Sequence, residues 1–97
     1  MEKLSLLKNE PEGTYLLMYS ARWCGSCKEM KARLANKELP LQAYEVDVDT
    51  QQGGRMAANA NVRSLPTWVV MRGNVELGRK MGSMNSEAFI EWLTTFK

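Results

Sequence analysis

Ninety-seven residues and 11.0 kDa are expected to form one domain, residues 1–97, with no room for a second. Apolar residues are 44 % of the chain and charged residues 25 %, and 13 basic against 11 acidic side chains leave +2, too weak a bias to point to nucleic acid. Histidine is absent, which excludes Cys-His and Ser-His-Asp catalysis, histidine-bearing metal sites and histidine pH switches.

Residues 2–9 read as a short helix, with Leu4, Leu7 and Lys8 at helical spacing and Pro11-Glu12-Gly13 to end it. No apolar run there is long enough for a signal peptide, and no stretch approaches the roughly 20 apolar residues of a membrane span. The expectation is a soluble, cytoplasmic monomer that engages neither membrane nor nucleic acid. Residues 14–19 form a continuous apolar run, the pattern of a strand buried on both faces. A loop through Arg22 and Trp23 leads to Cys24. A helix is expected from about residue 25 to residue 37, with Cys27, Met30 and Leu34 on one face.

Residues 41–49 end in an alternating pattern and read as a strand. Residues 51–60 read as a weaker helix, with Asn61 available as a left-handed stop. Residues 65–71 are a third strand, Arg72-Gly73-Asn74 a turn, and residues 75–80 a half-exposed hairpin partner. Asn85 reads as an N-cap, with Met84 and Phe89 placed to form a hydrophobic staple; Phe89, Trp92, Leu93 and Phe96 mark the buried face of the last helix. The order α-β-α-β-α-β-β-α implies an α/β fold with a central mixed sheet of about four strands flanked by helices.

The two cysteines are separated by two residues, Cys24-Gly25-Ser26-Cys27. Two thiolates cannot close a four-ligand zinc site, so no metal is expected. A bridge between such near neighbours closes too short a loop to stabilise the chain much. Redox chemistry is the remaining reading. At a strand-to-helix junction Cys24 takes the N-cap, where free backbone N–H groups and the helix dipole favour a thiolate. Cys24 is expected to be exposed and to attack a target disulfide. Cys27, one turn inside and buried, then resolves the mixed disulfide. Residues 22–37 add five basic side chains (Arg22, Lys28, Lys31, Arg33, Lys37) against Glu29, a local charge of +4 that either supports the thiolate or is only a solvated helix face.

Trp23-Cys24-Gly25-Ser26-Cys27-Lys28 resembles the W-C-G-P-C-K signature of the thioredoxin family. Val62-Arg63-Ser64-Leu65-Pro66-Thr67 and Gly82 resemble two further marks of that family, and the likeness runs from about Tyr15 to Phe96. The resemblance implies a thioredoxin-like fold whose N-terminal strand is short or missing. It also implies a cis Pro66 facing the cysteines, although base rates alone favour trans. Trp23, Gly25, Ser26, Leu65, Pro66, Thr67 and Gly82 would line the substrate groove, and the backbone of Leu65 would pair with an extended target. Trp23 is read as both substrate platform and cover for Cys24, and Trp68 as core. Most of the seven methionines are read as core filler, with Met81 or Met84 available to the groove. The implied activity is thiol–disulfide exchange with protein substrates. No cofactor is bound beyond the Cys24–Cys27 disulfide, and electrons come from a thioredoxin-type reductase.

The chain departs from the family at four places. Ser26 replaces the motif proline and is expected to alter redox poise. Ala32 replaces a helix-bending proline, so a straighter helix is expected. Met18 stands where the family has a buried aspartate that assists proton transfer, and Glu45 where it has that aspartate's lysine partner. Glu45 is either an exposed residue of an alternating strand, the preferred reading, or an inward-turned substitute base for Cys27. The loss of the buried pair leaves room for a binding module whose dithiol is incidental. A glutaredoxin-like, glutathione-dependent enzyme is a third reading, which the Cys-Gly-Ser-Cys spacing fits less well.

Overall fold

The structure is a computed structural model that describes residues 11–97 and the backbone of residues 2–3. Its elements are β1 (Glu2–Lys3), β2 (Thr14–Ser20), α1 (Gly25–Leu34), β3 (Gln42–Asp47), α2 (Gln51–Asn59), β4 (Thr67–Arg72), β5 (Val75–Met81) and α3 (Ser86–Thr94). They form one five-stranded sheet in the order β1-β3-β2-β4-β5. β1 and β2 both run parallel to β3; β4 is antiparallel to β2, and β5 to β4.

The helix expected over residues 2–9 is corrected at its start. Glu2 and Lys3 pair with Tyr44 and Glu45, and residues 4–9 lie outside the described residues. An open strand edge offers every second backbone donor and acceptor to a partner, whereas a first helical turn fixes three residues for one hydrogen bond. This edge pairing gives the short first strand that the family resemblance implied. The helix expected to reach residue 37 stops at Leu34. Its exit tightens into three-residue bonds, from the Ala35 N–H to the Ala32 carbonyl and from the Lys37 N–H to the Leu34 carbonyl. α1 runs continuously through Ala32.

β2 is buried along almost its whole length because both sheet faces are covered. On one face Leu16, Met18, Trp68 and Val70 meet Cys27, Met30 and Leu34 of α1 and Phe89 and Leu93 of α3. The Trp68 and Phe89 ring centroids are 4.6 Å apart, and Trp68 is core. Each such fully buried side chain contributes about 1.5–3 kcal/mol of burial. On the other face Tyr15, Leu17, Tyr19, Val46 and Val69 pack with Ala57 of α2. Burial pushes the Tyr19 phenol above its ordinary value, and the nearby Arg79 guanidinium opposes that in part.

The ends of the later helices follow their sequence signals. Thr50 caps α2 by accepting from the Gly53 N–H, and Asn61 closes it at φ 57°. Asn85 caps α3 by accepting from the Glu87 and Ala88 N–H groups. Half-buried Met84 packs against the cluster that holds Phe89.

Candidate active site

The chain leaves β2 at Ser20, turns through residues 21–23 and enters α1 at Cys24. The Cys24 N–H donates to the Ala21 carbonyl at 3.2 Å, which fixes the turn. Cys24 is the N-cap in extended conformation, and its Sγ accepts from the Cys27 N–H at 3.2 Å. One of the free donors at the helix start thus points at the sulfur. Cys24 and Cys27 are joined by a disulfide, with their Cα atoms 5.3 Å apart.

The expected contrast in exposure is smaller than the sequence reading had it. Cys24 is only 6 % exposed and Cys27 not at all. Cys24 belongs to the same buried cluster as Met30, against which Leu65 packs, so little of it reaches solvent. The asymmetry in sign survives, and the helix-start donor still falls on Cys24.

Trp23, next before Cys24 in the chain, is 69 % exposed, and its Nε1 donates to Asp49 Oδ2 at 2.9 Å. The Leu65–Pro66 peptide is cis. Pro66 and Thr67 turn their side chains into the core, and Thr67 Oγ1 donates to the Ser64 carbonyl. Their side chains are buried, and the contact the segment makes with the cysteine motif is through its backbone. The Leu65 carbonyl accepts from Ser26 Oγ at 3.3 Å, and Ser26 Oγ also lies 3.4 Å from Cys24 Sγ. Gly82, at φ 87°, donates its N–H to the Pro66 carbonyl at 2.8 Å, and its own carbonyl accepts from Trp68 Nε1. Only glycine takes that φ readily. Met81 beside it is 64 % exposed, and Gly25 has open space where a side chain would stand.

Glu45 is the second correction. It is 8 % exposed, turned onto the face that carries α1, and paired with Lys31; Ser20 Oγ donates to its Oε2 at 2.6 Å. An alternating strand has one face inward, and here α1 lays Lys31 across it, so the carboxylate is buried with its charge offset. The sequence pattern places Lys31 in a basic stretch that either supports the Cys24 thiolate or is a solvated helix face, and it carries no signal for Asp49. Ser20 follows Leu16 and Met18 at the two-residue spacing of one strand face, the one signal that could have placed it here. Arg33 is a strap more than a field. Its Nη1 donates to the Met84 carbonyl at 2.9 Å, while Ser83 Oγ donates to Glu29 Oε1 at 2.8 Å. Among the described residues no cluster of acidic or cysteine side chains could hold a metal ion, and no helix is long and apolar enough to cross a membrane.

A strand–cysteine pair–helix unit facing a cis-proline segment across a sheet of this order defines a thioredoxin-like fold. The family model for thioredoxin matches residues 4–95. Thioredoxin C-3 of Corynebacterium nephridii is 36 % identical over 75 residues, which is 75 % of this chain and 51 % of that protein. Thioredoxin-1 of Drosophila melanogaster is 30 % identical over 70 residues, 70 % of this chain and 65 % of that one. The solved thioredoxin of Fasciola hepatica superposes with a TM-score of 0.73 at 30 % identity, covering 89 % of this chain and 84 % of that one. That of Malassezia sympodialis has a TM-score of 0.74 at 23 % identity, covering 88 % and 76 %, and shows the fold alone. The chain belongs to the thioredoxin family. It spans about half the length of the first two curated relatives it matches.

Proposed function

We propose that the protein is a thiol–disulfide oxidoreductase that reduces disulfides of protein substrates. The observation that carries this reading is the Cys24–Cys27 disulfide at the start of α1, with Cys24 Sγ accepting from the helix backbone. In the reduced form Cys24 is the thiolate and Cys27 the thiol. The Cys24 thiolate attacks one sulfur of the target disulfide. A new S–S bond forms, the target's bond breaks, and the other target sulfur leaves as a thiolate. Cys27 then loses its proton and attacks Cys24 Sγ; the Cys24–Cys27 bond forms, the Cys24–target bond breaks, and the second target sulfur leaves as a thiolate. The protein is left as the disulfide, the target has gained two electrons, and the Cys27 proton passes to solvent, to a departing sulfur or to Glu45.

Several features support binding of an extended target. Trp23, next to Cys24 in the chain, and Met81, next to Gly82, supply exposed apolar surface, and the Leu65 carbonyl lies beside Ser26 of the cysteine motif. A thioredoxin-type reductase returns the electrons, with no bound cofactor. The reading puts the protein in the cytosol, as part of cellular redox homeostasis, where thiols are kept reduced. The test is reduction of insulin disulfides with dithiothreitol as electron donor, followed by replacement of dithiothreitol with a thioredoxin-type reductase or with glutathione. Turnover supported by the reductase is expected. Turnover that requires glutathione favours the glutaredoxin-like alternative, and none with any donor leaves a binding module.

A further inference from the structure

Ser26 occupies the position of the family's motif proline, and its hydroxyl stands between two acceptors. Oγ is 3.4 Å from Cys24 Sγ and 3.3 Å from the Leu65 carbonyl oxygen. A serine hydroxyl has one proton to donate, so the two acceptors compete for it. In the disulfide form Cys24 Sγ is uncharged and a weak acceptor, and the carbonyl is the better partner. In the reduced form Cys24 Sγ is an anion. Hydrogen bonds to an ionised acceptor are about twice as strong as those between neutral groups. The hydroxyl then belongs to Cys24, beside the Cys27 N–H that already points at that sulfur. The Leu65 carbonyl is left without this donor at the edge where a target has to lie.

We propose that Ser26 couples the redox state to target binding. Its hydroxyl caps the Leu65 carbonyl in the disulfide form and the Cys24 thiolate in the dithiol form. The carbonyl is therefore open to a target's backbone N–H before the electrons are passed and closed after. The proton stays on the serine oxygen in both states; only the direction of donation changes. Proline has no hydroxyl and cannot make this exchange. The inference rests on the oxidoreductase reading and adds to it a reason for product release. One backbone hydrogen bond gained or lost is worth about two- to tenfold in affinity.

The test uses the intact chain as wild type, Ser26→Ala and Ser26→Thr. The 13C shift of the Leu65 carbonyl is recorded in both redox states, and the Cys24 thiolate is titrated by its ultraviolet absorbance. The redox-dependent shift is expected to shrink in Ser26→Ala and return in Ser26→Thr. Cys24 in Ser26→Ala is expected to titrate about one pH unit higher, a tenfold change in proton affinity. S-carboxymethylated insulin B chain, titrated into the disulfide form and followed by tryptophan fluorescence, is expected to bind about two- to tenfold tighter to Ser26→Ala than to wild type. Equal redox-dependent shifts in wild type and Ser26→Ala overturn the switch, as does an unchanged Cys24 titration. Equal or immeasurable peptide affinity in the two overturns its coupling to binding. None of these readouts needs turnover. A wild type that fails to reduce insulin counts against the oxidoreductase reading and leaves the Ser26 result standing.

Discussion

Met18 and Glu45 are register partners in the parallel pairing of β2 and β3, and both lie on the sheet face covered by α1. Where the family has a carboxylate on the central strand, this chain has a thioether, and the acid has moved one strand sideways. Glu45 is the one buried carboxylate among the described residues, held by Lys31 and Ser20. If the Cys27 proton passes to it, Glu45→Gln slows release of the reduced target by about 10²-fold and leaves the first attack by Cys24 nearly unchanged. Stopped-flow rates for the two steps decide this; equal release rates remove Glu45 from the reaction.

The two cysteines have separate assignments despite their similar burial. Cys27→Ser is expected to accumulate mixed disulfides with insulin, visible by mass spectrometry under non-reducing conditions. Cys24→Ser is expected to form none and to lose all reductase activity. Adducts concentrated on Cys27 in the Cys24→Ser protein would reverse the assignment.

Trp23 is exposed, and its indole N–H is tied to Asp49. Trp23→Ala is expected to raise KM for insulin several-fold and to change stability by no more than about 0.5 kcal/mol, the usual range for a surface position. Asp49→Ala, which frees the indole without removing it, is expected to give a smaller rise in KM. Insulin kinetics and thermal melts of both variants check this.

Two glycines near helix starts should respond in opposite ways to alanine. At Gly53 a Cβ would stand 1.9 Å from the Asp47 carbonyl oxygen, so the β3–α2 turn would have to open, at a cost of about 1–3 kcal/mol. Gly25 has open space there, and Gly25→Ala is expected to stabilise the chain by about 0.4–1 kcal/mol by restricting the unfolded state. Denaturant midpoints of the two variants should fall on either side of the wild type.

Tyr19 contributes to the alkaline limb of stability. Its phenol is held above the ordinary value of 10.0 by burial, with Arg79 lowering it in part. The unfolded chain therefore gives up this proton first as pH rises, and folding is weakened progressively above about pH 10. Tyr19→Phe removes that contribution. Its stability should fall less steeply than that of the wild type between about pH 9 and 11, measured by urea unfolding.

Much of this molecule is legible locally. The apolar run of β2, the Cys27-Met30-Leu34 stripe of α1 and the Asn85 cap are each fixed by neighbours within a few residues, so their periodicity carries through to the fold. The cysteine pair is legible for the same reason. What escaped reading depends on partners far along the chain. Ser20 meets Glu45 across 25 residues and Trp23 meets Asp49 across 26. Alternation in β3 says that Glu45 shares a face with Ala43, but not that α1 covers that face. The burial of Cys24 comes with the cluster it shares with Met18, Trp68 and Phe89, and the edge pairing of Glu2 and Lys3 comes from β3. Neither is written in the residues concerned.

The loop that begins at Gly82 is strapped to the cysteine-bearing helix three times: by Arg33 to the Met84 carbonyl, by Ser83 to Glu29, and by the Met84 N–H to the Met30 sulfur. Two jaws of the groove are thereby tied to one frame. On the proposed function, a target meets an opening whose two sides are held to each other by these bonds. Discrimination then passes to the other party. A disulfide locked in a stiff loop cannot lay itself along the opening, whereas one in a slack or frayed segment can. On the proposed function, the protein would sort its targets by how readily they come undone.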